Sequence, residues 1–107
     1  MNTYNPDNWV IIHVDGNTPH YRVLCGWHGG YLHGDSWKLS SGIEGLEDCG
    51  TYWKLPQTSG SVYHLRKGGE HISGITAGVL ATLETKNCTR VDFNTFVKDF
   101  NNRELAI

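Results

Sequence analysis

The stretch YRVLCGWHGGYLHGDSWKLSSG, residues 21–42, carries one strand-like run into a glycine-rich bend and a second out of it. Tyr21, Val23, Cys25 and Trp27 alternate with Arg22, Leu24 and Gly26, the period-two pattern of a strand that shows a different set of side chains to each face. Gly26, Gly29, Gly30 and Gly34 then follow at close spacing. Glycines so placed permit either a sharp hairpin or the bulges that curl a sheet toward a barrel. Asp35–Leu39 reads as a further short strand, with Trp37 and Leu39 on one face and Lys38 on the other, and Ser40-Ser41-Gly42 ends it. Rings, histidines, a cysteine and an aspartate all gather near this bend, so a working surface is sought here first.

Upstream, Trp9–Val14 (WVIIHV) is short, β-branched and aromatic, which argues strand over helix. Val10, Ile12 and Val14 fall on one face and Trp9, Ile11 and His13 on the other, so this strand is expected to be covered on both sides. Asp15-Gly16-Asn17 supplies a turn, and Pro19 precedes the next strand, making the first two strands a hairpin. Residues 1–8 are polar and read as a lead-in. Downstream, Ile43–Gly50 has no clean period and reads as a loop or an irregular edge strand. Thr51–Leu55 and Ser61–Lys67 resume strand character.

The pattern then changes to a helical one. Ile75, Val79, Leu80 and Leu83 share a helix face with Ser73 as candidate N-cap, and Phe93, Phe96, Val97 and Phe100 form a second, cleaner face with Asp92 as candidate N-cap. Asn87 and Cys88 break the helical pattern between them. Strands followed by helices give an α+β class. The expectation is one domain over residues 1–107: an antiparallel meander of four to five strands, strongly bent or partly closed into a barrel, β-rich over 8–67, with one or two C-terminal helices from 73–102 packed on it.

Bulk composition narrows the function classes. At 107 residues the chain supports one core, and 38% hydrophobic with 19% charged residues is the balance of a folded chain rather than a disordered one. A net charge of -2 and scattered basic residues give no stripe for neutralising a duplex, so double-stranded nucleic acid is disfavoured. Cys25, Cys49 and Cys88 are odd in number and without Cys-x-x-Cys spacing, which points to reduced thiols. With no signal-peptide pattern at MNTYNPDNW and no apolar run of membrane-span length, a cytoplasmic location is expected and no membrane contact.

Three constellations carry chemistry. Cys25, His28, His33 and Asp35 hold donor atoms suited to zinc, though one loose cluster is a poor match to paired-knuckle spacing. The competing reading is surface histidines beside a turn, with Cys25 a small core hydrophobe. A cysteine, a histidine and an aspartate are also the parts of a nucleophile–base–orienter set, but nothing local arranges them and no nucleotide or hydrolase fingerprint is present. No cofactor is therefore expected. The third constellation is aromatic: Trp27, Tyr31, Trp37, Trp53 and Tyr63, with Tyr52, lie on or beside strands. Such rings are either sheet core or anchors for a partner. They outnumber what one face of a small meander hides, which keeps a binding surface in play.

The run HYRVLCGWHGGYLHGDSWKLSSGI, residues 20–43, followed by GSVYHLRK, residues 60–67, resembles a pattern in small proteins of marine tailed phages, especially those infecting cyanobacteria. Its shared elements correspond to His20–Leu24, Gly26-Trp27, Gly29–Leu32, Gly34–Trp37 and Ser41-Gly42, and the similarity spans roughly residues 8–67. The resemblance implies phage or mobile-element origin and action inside a bacterial host, and it says nothing about mechanism. The excess of rings together with the absence of catalytic motifs makes the expected function that of a non-enzymatic interaction protein, binding a protein partner or a second copy of itself through an aromatic sheet surface. The alternatives are a metal-dependent or cysteine-based hydrolase at Cys25, His28, His33 and Asp35, and a weak single-stranded nucleic-acid binder.

Overall fold

The structure is a computed structural model that describes residues 2–29 and 35–105, with side chains to residue 102. Among these residues eight strands and two helices follow one another as β1 (Thr3–Tyr4), β2 (Asn8–Val14), β3 (His20–Trp27), β4 (Ser36–Leu39), β5 (Glu47–Asp48), β6 (Tyr52–Pro56), β7 (Val62–Arg66), α1 (Gly74–Glu84), β8 (Cys88–Val91) and α2 (Phe93–Leu105). The α+β class with C-terminal helices is as expected. The strands divide, however, into two four-stranded sheets rather than one meander, with orders β4-β3-β2-β8 and β1-β7-β6-β5, and neither closes into a barrel. Each sheet is an antiparallel three-stranded meander with one strand added at an edge from a distant part of the chain. β8 joins β2 antiparallel, and β1 joins β7 parallel.

The passage between the sheets is built from polar side chains. Ser40 lies buried against β3, where its hydroxyl accepts the Val23 N–H at 2.8 Å, and the Ile43 N–H still reaches the Tyr21 carbonyl. Ile43 then bridges to Gln57, and the Glu44 N–H donates to Pro56 in the second sheet. The buried Gln57 side chain satisfies itself by donating to the Leu55 carbonyl and accepting the Gly42 N–H. A side chain here replaces ladder bonds that the diverging strands no longer supply.

β2 and β3 form the middle layer, and strand alternation sorts their side chains in two directions. Trp9, Ile11, Tyr21, Val23 and Cys25 point into a core shared with Leu55, Tyr63 and Leu65 of the second sheet and with Phe93 and Phe96 of α2. Val10, Ile12 and Leu24 point the opposite way, to Leu80 of α1. Burial on both faces, expected from WVIIHV, is thereby borne out. The Asp92 carboxylate accepts the Asn94 N–H at 3.1 Å, the capping role read from sequence, while the Glu70 carboxylate accepts the Phe93 N–H. Ser73 occupies the N-cap position of α1 but makes no side-chain cap bond.

α1 sits close on the first sheet because Gly26 has no side chain. A Cβ at Gly26 would lie 2.6 Å from the Thr76 hydroxyl oxygen and 3.1 Å from Asn8 Oδ1. Thr76 and Asn8 are both buried and short, so neither can swing clear. Gly26→Ala is expected to lower stability by about 1–3 kcal/mol through overpacking. In a double-mutant cycle Thr76→Ala should recover part of that loss. Additive losses in denaturant titration would show that α1 does not rest on Gly26.

Candidate functional site

The expected aromatic surface is only partly at the surface. Trp37 on the edge strand β4 is 46% exposed. Trp27 is half-buried: its indole N–H donates to the Asn5 carbonyl at 3.1 Å, and Tyr4 meets it edge-on at 6.3 Å between ring centroids. Trp53 is also half-buried, with Phe93 at 5.1 Å on one side and the Lys67 ammonium 4.4 Å from its ring. Tyr63 is 1% exposed and offers no ring to a partner, because β7 alternation turns it with Leu65 into the inter-sheet core. Tyr31 lies outside the described residues.

The proposed metal ligands that are described do not converge. Cys25 is fully buried on the inter-sheet face, its thiol directed to the Lys38 carbonyl at 3.6 Å. Burial pushes that thiol up to about 12 despite the opposing pull of Lys38, so it stays protonated and is neither a ready ligand nor a ready nucleophile. His28 is exposed at the end of β3, where its backbone N–H donates to Asp7 Oδ2 at 2.7 Å. Asp35 Oδ1 is used in accepting the Gly29 N–H at 3.0 Å. Both carboxylates therefore fasten the backbone at the strand end. His33 lies outside the described residues. Among the described residues, no three His, Cys, Asp or Glu side chains gather as a metal site would require.

Two surface features remain. The first is at the α1 end of β4. Trp37 and Leu39 share the face turned toward α1, and Trp37 pairs in register with Gly26, over which Thr76 lies. Asp35 Oδ2 is 3.5 Å from where a Gly74 Cβ would be. The first turn of α1 is thus brought alongside β4, and with it Ile75, 54% exposed. Ile75 reads in sequence as a core position of an amphipathic helix. The helix instead buries Thr76 and Leu80, which shifts the contact face and leaves Ile75 in solvent.

The second feature is a cleft of about 390 Å³ where the Asn5-Pro6-Asp7 segment rises beside the second sheet, with Tyr52, His64 and Arg66 also lining it. The Arg66 side-chain Nε donates to the Asp7 carbonyl at 2.8 Å, and the Tyr52 and His64 rings are 4.6 Å apart at 40°. Hydrogen bonding to the Cys49 sulfur chiefly, then repulsion from that sulfur when ionised, desolvation and the Glu47 charge, raise the Tyr52 phenol above its ordinary range, so it is neutral. This grouping was not legible in sequence, since it needs the pairing of β6 with β7. Among the described residues no helix is long and apolar enough to cross a membrane. No protein-family model, curated protein or solved structure matches the chain.

Proposed function

We propose that this is a non-enzymatic interaction protein that docks an extended segment of another polypeptide, from a partner protein or a second copy of the chain, along β4. The observation that carries this reading is that Trp37 on β4 and Ile75 in the first turn of α1 beside it are the large hydrophobics exposed among the described residues, and that the outer edge of β4 has no strand partner among those residues. Isolated exposed apolar side chains are ordinary, but two beside an open sheet edge suit strand addition, in which backbone bonds give affinity and side-chain anchors give selectivity. A role as an accessory factor of a phage or mobile element rests on the resemblance over residues 8–67.

Joint substitution of Trp37→Ser and Ile75→Ser tests the reading. The unaltered protein should self-associate, or retain a partner in native mass spectrometry, and the double variant should bind about 30-fold or more weakly while melting at the same temperature. A strict monomer that retains nothing, or retention indifferent to both substitutions, would overturn it.

A further inference from the structure

The outer face of the second sheet carries a pattern that the linear order of residues conceals. Tyr52 and Lys54 on β6, and His64 and Arg66 on β7, alternate with the inward-facing Leu55, Tyr63 and Leu65. The register sets Tyr52 opposite Arg66 and Lys54 opposite His64. Rings therefore occupy one diagonal of a two-by-two square and cations the other. The ring diagonal is in contact, at 4.6 Å between centroids, and the cleft walled by Asn5, Pro6 and Asp7 opens onto it. The helices are engaged elsewhere, α1 with the first sheet and α2 with the core between the sheets.

We propose that this face is a binding site for a nucleotide with an unpaired base, the base stacking on Tyr52 and His64 and the phosphate meeting Arg66 and Lys54. Every base presents a π-face, so a ring floor accepts it without sequence preference. A base inside a duplex is already stacked and paired and is not presented to such a floor. Arg66 is steadied through Nε by the Asp7 carbonyl, which leaves its terminal amino groups as the donors for phosphate oxygens. A cleft of about 390 Å³ is of the size that holds a small ligand. The electrostatic contribution is limited, because Glu47 lies 4.0 Å from Lys54 and there are two cations to offer. Counterion release from at most two phosphates gives a slope of about −1.4 in log affinity against log salt. Binding should then fall about sevenfold between 50 and 200 mM salt, far less than for a protein that tracks a phosphate backbone.

The probe is a fluorescein-labelled eight-nucleotide oligothymidylate followed by fluorescence anisotropy, against the same strand annealed to its complement and against thymidine monophosphate as competitor. Binding of the single strand in preference to the duplex is expected, weakened about five- to hundredfold by Tyr52→Ala, kept by Tyr52→Phe, and reduced by Lys54→Gln. Competition by thymidine monophosphate at matching nucleotide concentration would assign the site to free nucleotides. Its failure to compete would assign the site to strands. No binding at millimolar protein, equal binding of the duplex, or indifference to both Tyr52→Ala and Lys54→Gln in variants that melt normally would overturn the proposal.

Discussion

Trp9→Ala is expected to lower unfolding stability by about 3–5 kcal/mol, the loss seen when a large buried aromatic is truncated. Trp9 is 2% exposed and stands where three parts of the fold meet. Its backbone N–H donates to Gly69 and its indole N–H to the Arg66 carbonyl, both at 3.0 Å, while Phe93 of α2 packs edge-on at 5.2 Å. It therefore couples the first sheet, the end of the second and the last helix. The Arg66 carbonyl would lose its indole partner in the variant, adding a desolvation loss to the missing volume. A domain of this size has about 5–15 kcal/mol in total, so the variant should be marginal, with a melting temperature lowered by more than about 15 °C. Trp9→Phe retains most of the packing and loses the donor, and about 1–3 kcal/mol is expected for it. Denaturant and thermal unfolding measure both. A Trp9→Ala protein within about 1 kcal/mol of the unaltered one would mean that the sheets are joined by other contacts.

Stability should also fall steeply in alkali. Burial pushes the Cys25 thiol up to about 12 in the folded protein from an ordinary 9.0, and Tyr63 is likewise raised above its ordinary 10.0, by burial first and then by repulsion from Cys25 and Tyr4 once they ionise. Both groups are neutral acids whose folded value is raised. Their contribution is whole below the unfolded value and is lost as pH climbs toward the folded one, because the unfolded chain releases protons that the folded chain keeps. The slope reaches about 1.4 kcal/mol per pH unit for each group, and Cys25 alone loses on the order of 4 kcal/mol by pH 12. Denaturant titrations from pH 8 to 11 should show this decline, and Cys25→Ala should flatten it above about pH 9. Parallel curves for the two proteins would place the alkaline sensitivity elsewhere.

Much of the fold was legible because its middle layer is written in strong local patterns. WVIIHV announces a strand covered on both faces, and Phe93, Phe96, Val97 and Phe100 announce a helix with Asp92 before it. What escaped was set by long-range pairing. β8 is four residues, CTRV, with Thr89 and Arg90 in solvent, too short and polar at the sheet edge to show a period. β1 is two residues that become a strand only because β7 lies beside them. The single meander became two sheets because Ser40 and Gln57, unremarkable in sequence, supply buried hydrogen bonds where the chain crosses. The candidate site divided in the same way. Trp37 could be named from its neighbourhood, but Tyr63 belongs to the core by strand alternation. The Tyr52, Lys54, His64 and Arg66 square exists only through register.

The attachment of β8 to β2 bears on how the molecule is assembled in time. The Asn87 side chain donates to the Asp15 carbonyl across 72 residues of sequence, and the Asp15 N–H answers to Asn87. A growing chain can zip β2, β3 and β4 together early, since their turns are near at hand. The Val10 and Ile12 side must nevertheless wait for α1, and the free flank of β2 for the strand after it. Closing so wide a loop is slow compared with hairpin formation. During synthesis the protein thus carries an uncovered greasy surface and an unpaired backbone rim together, the two features that most invite association with a neighbouring nascent chain.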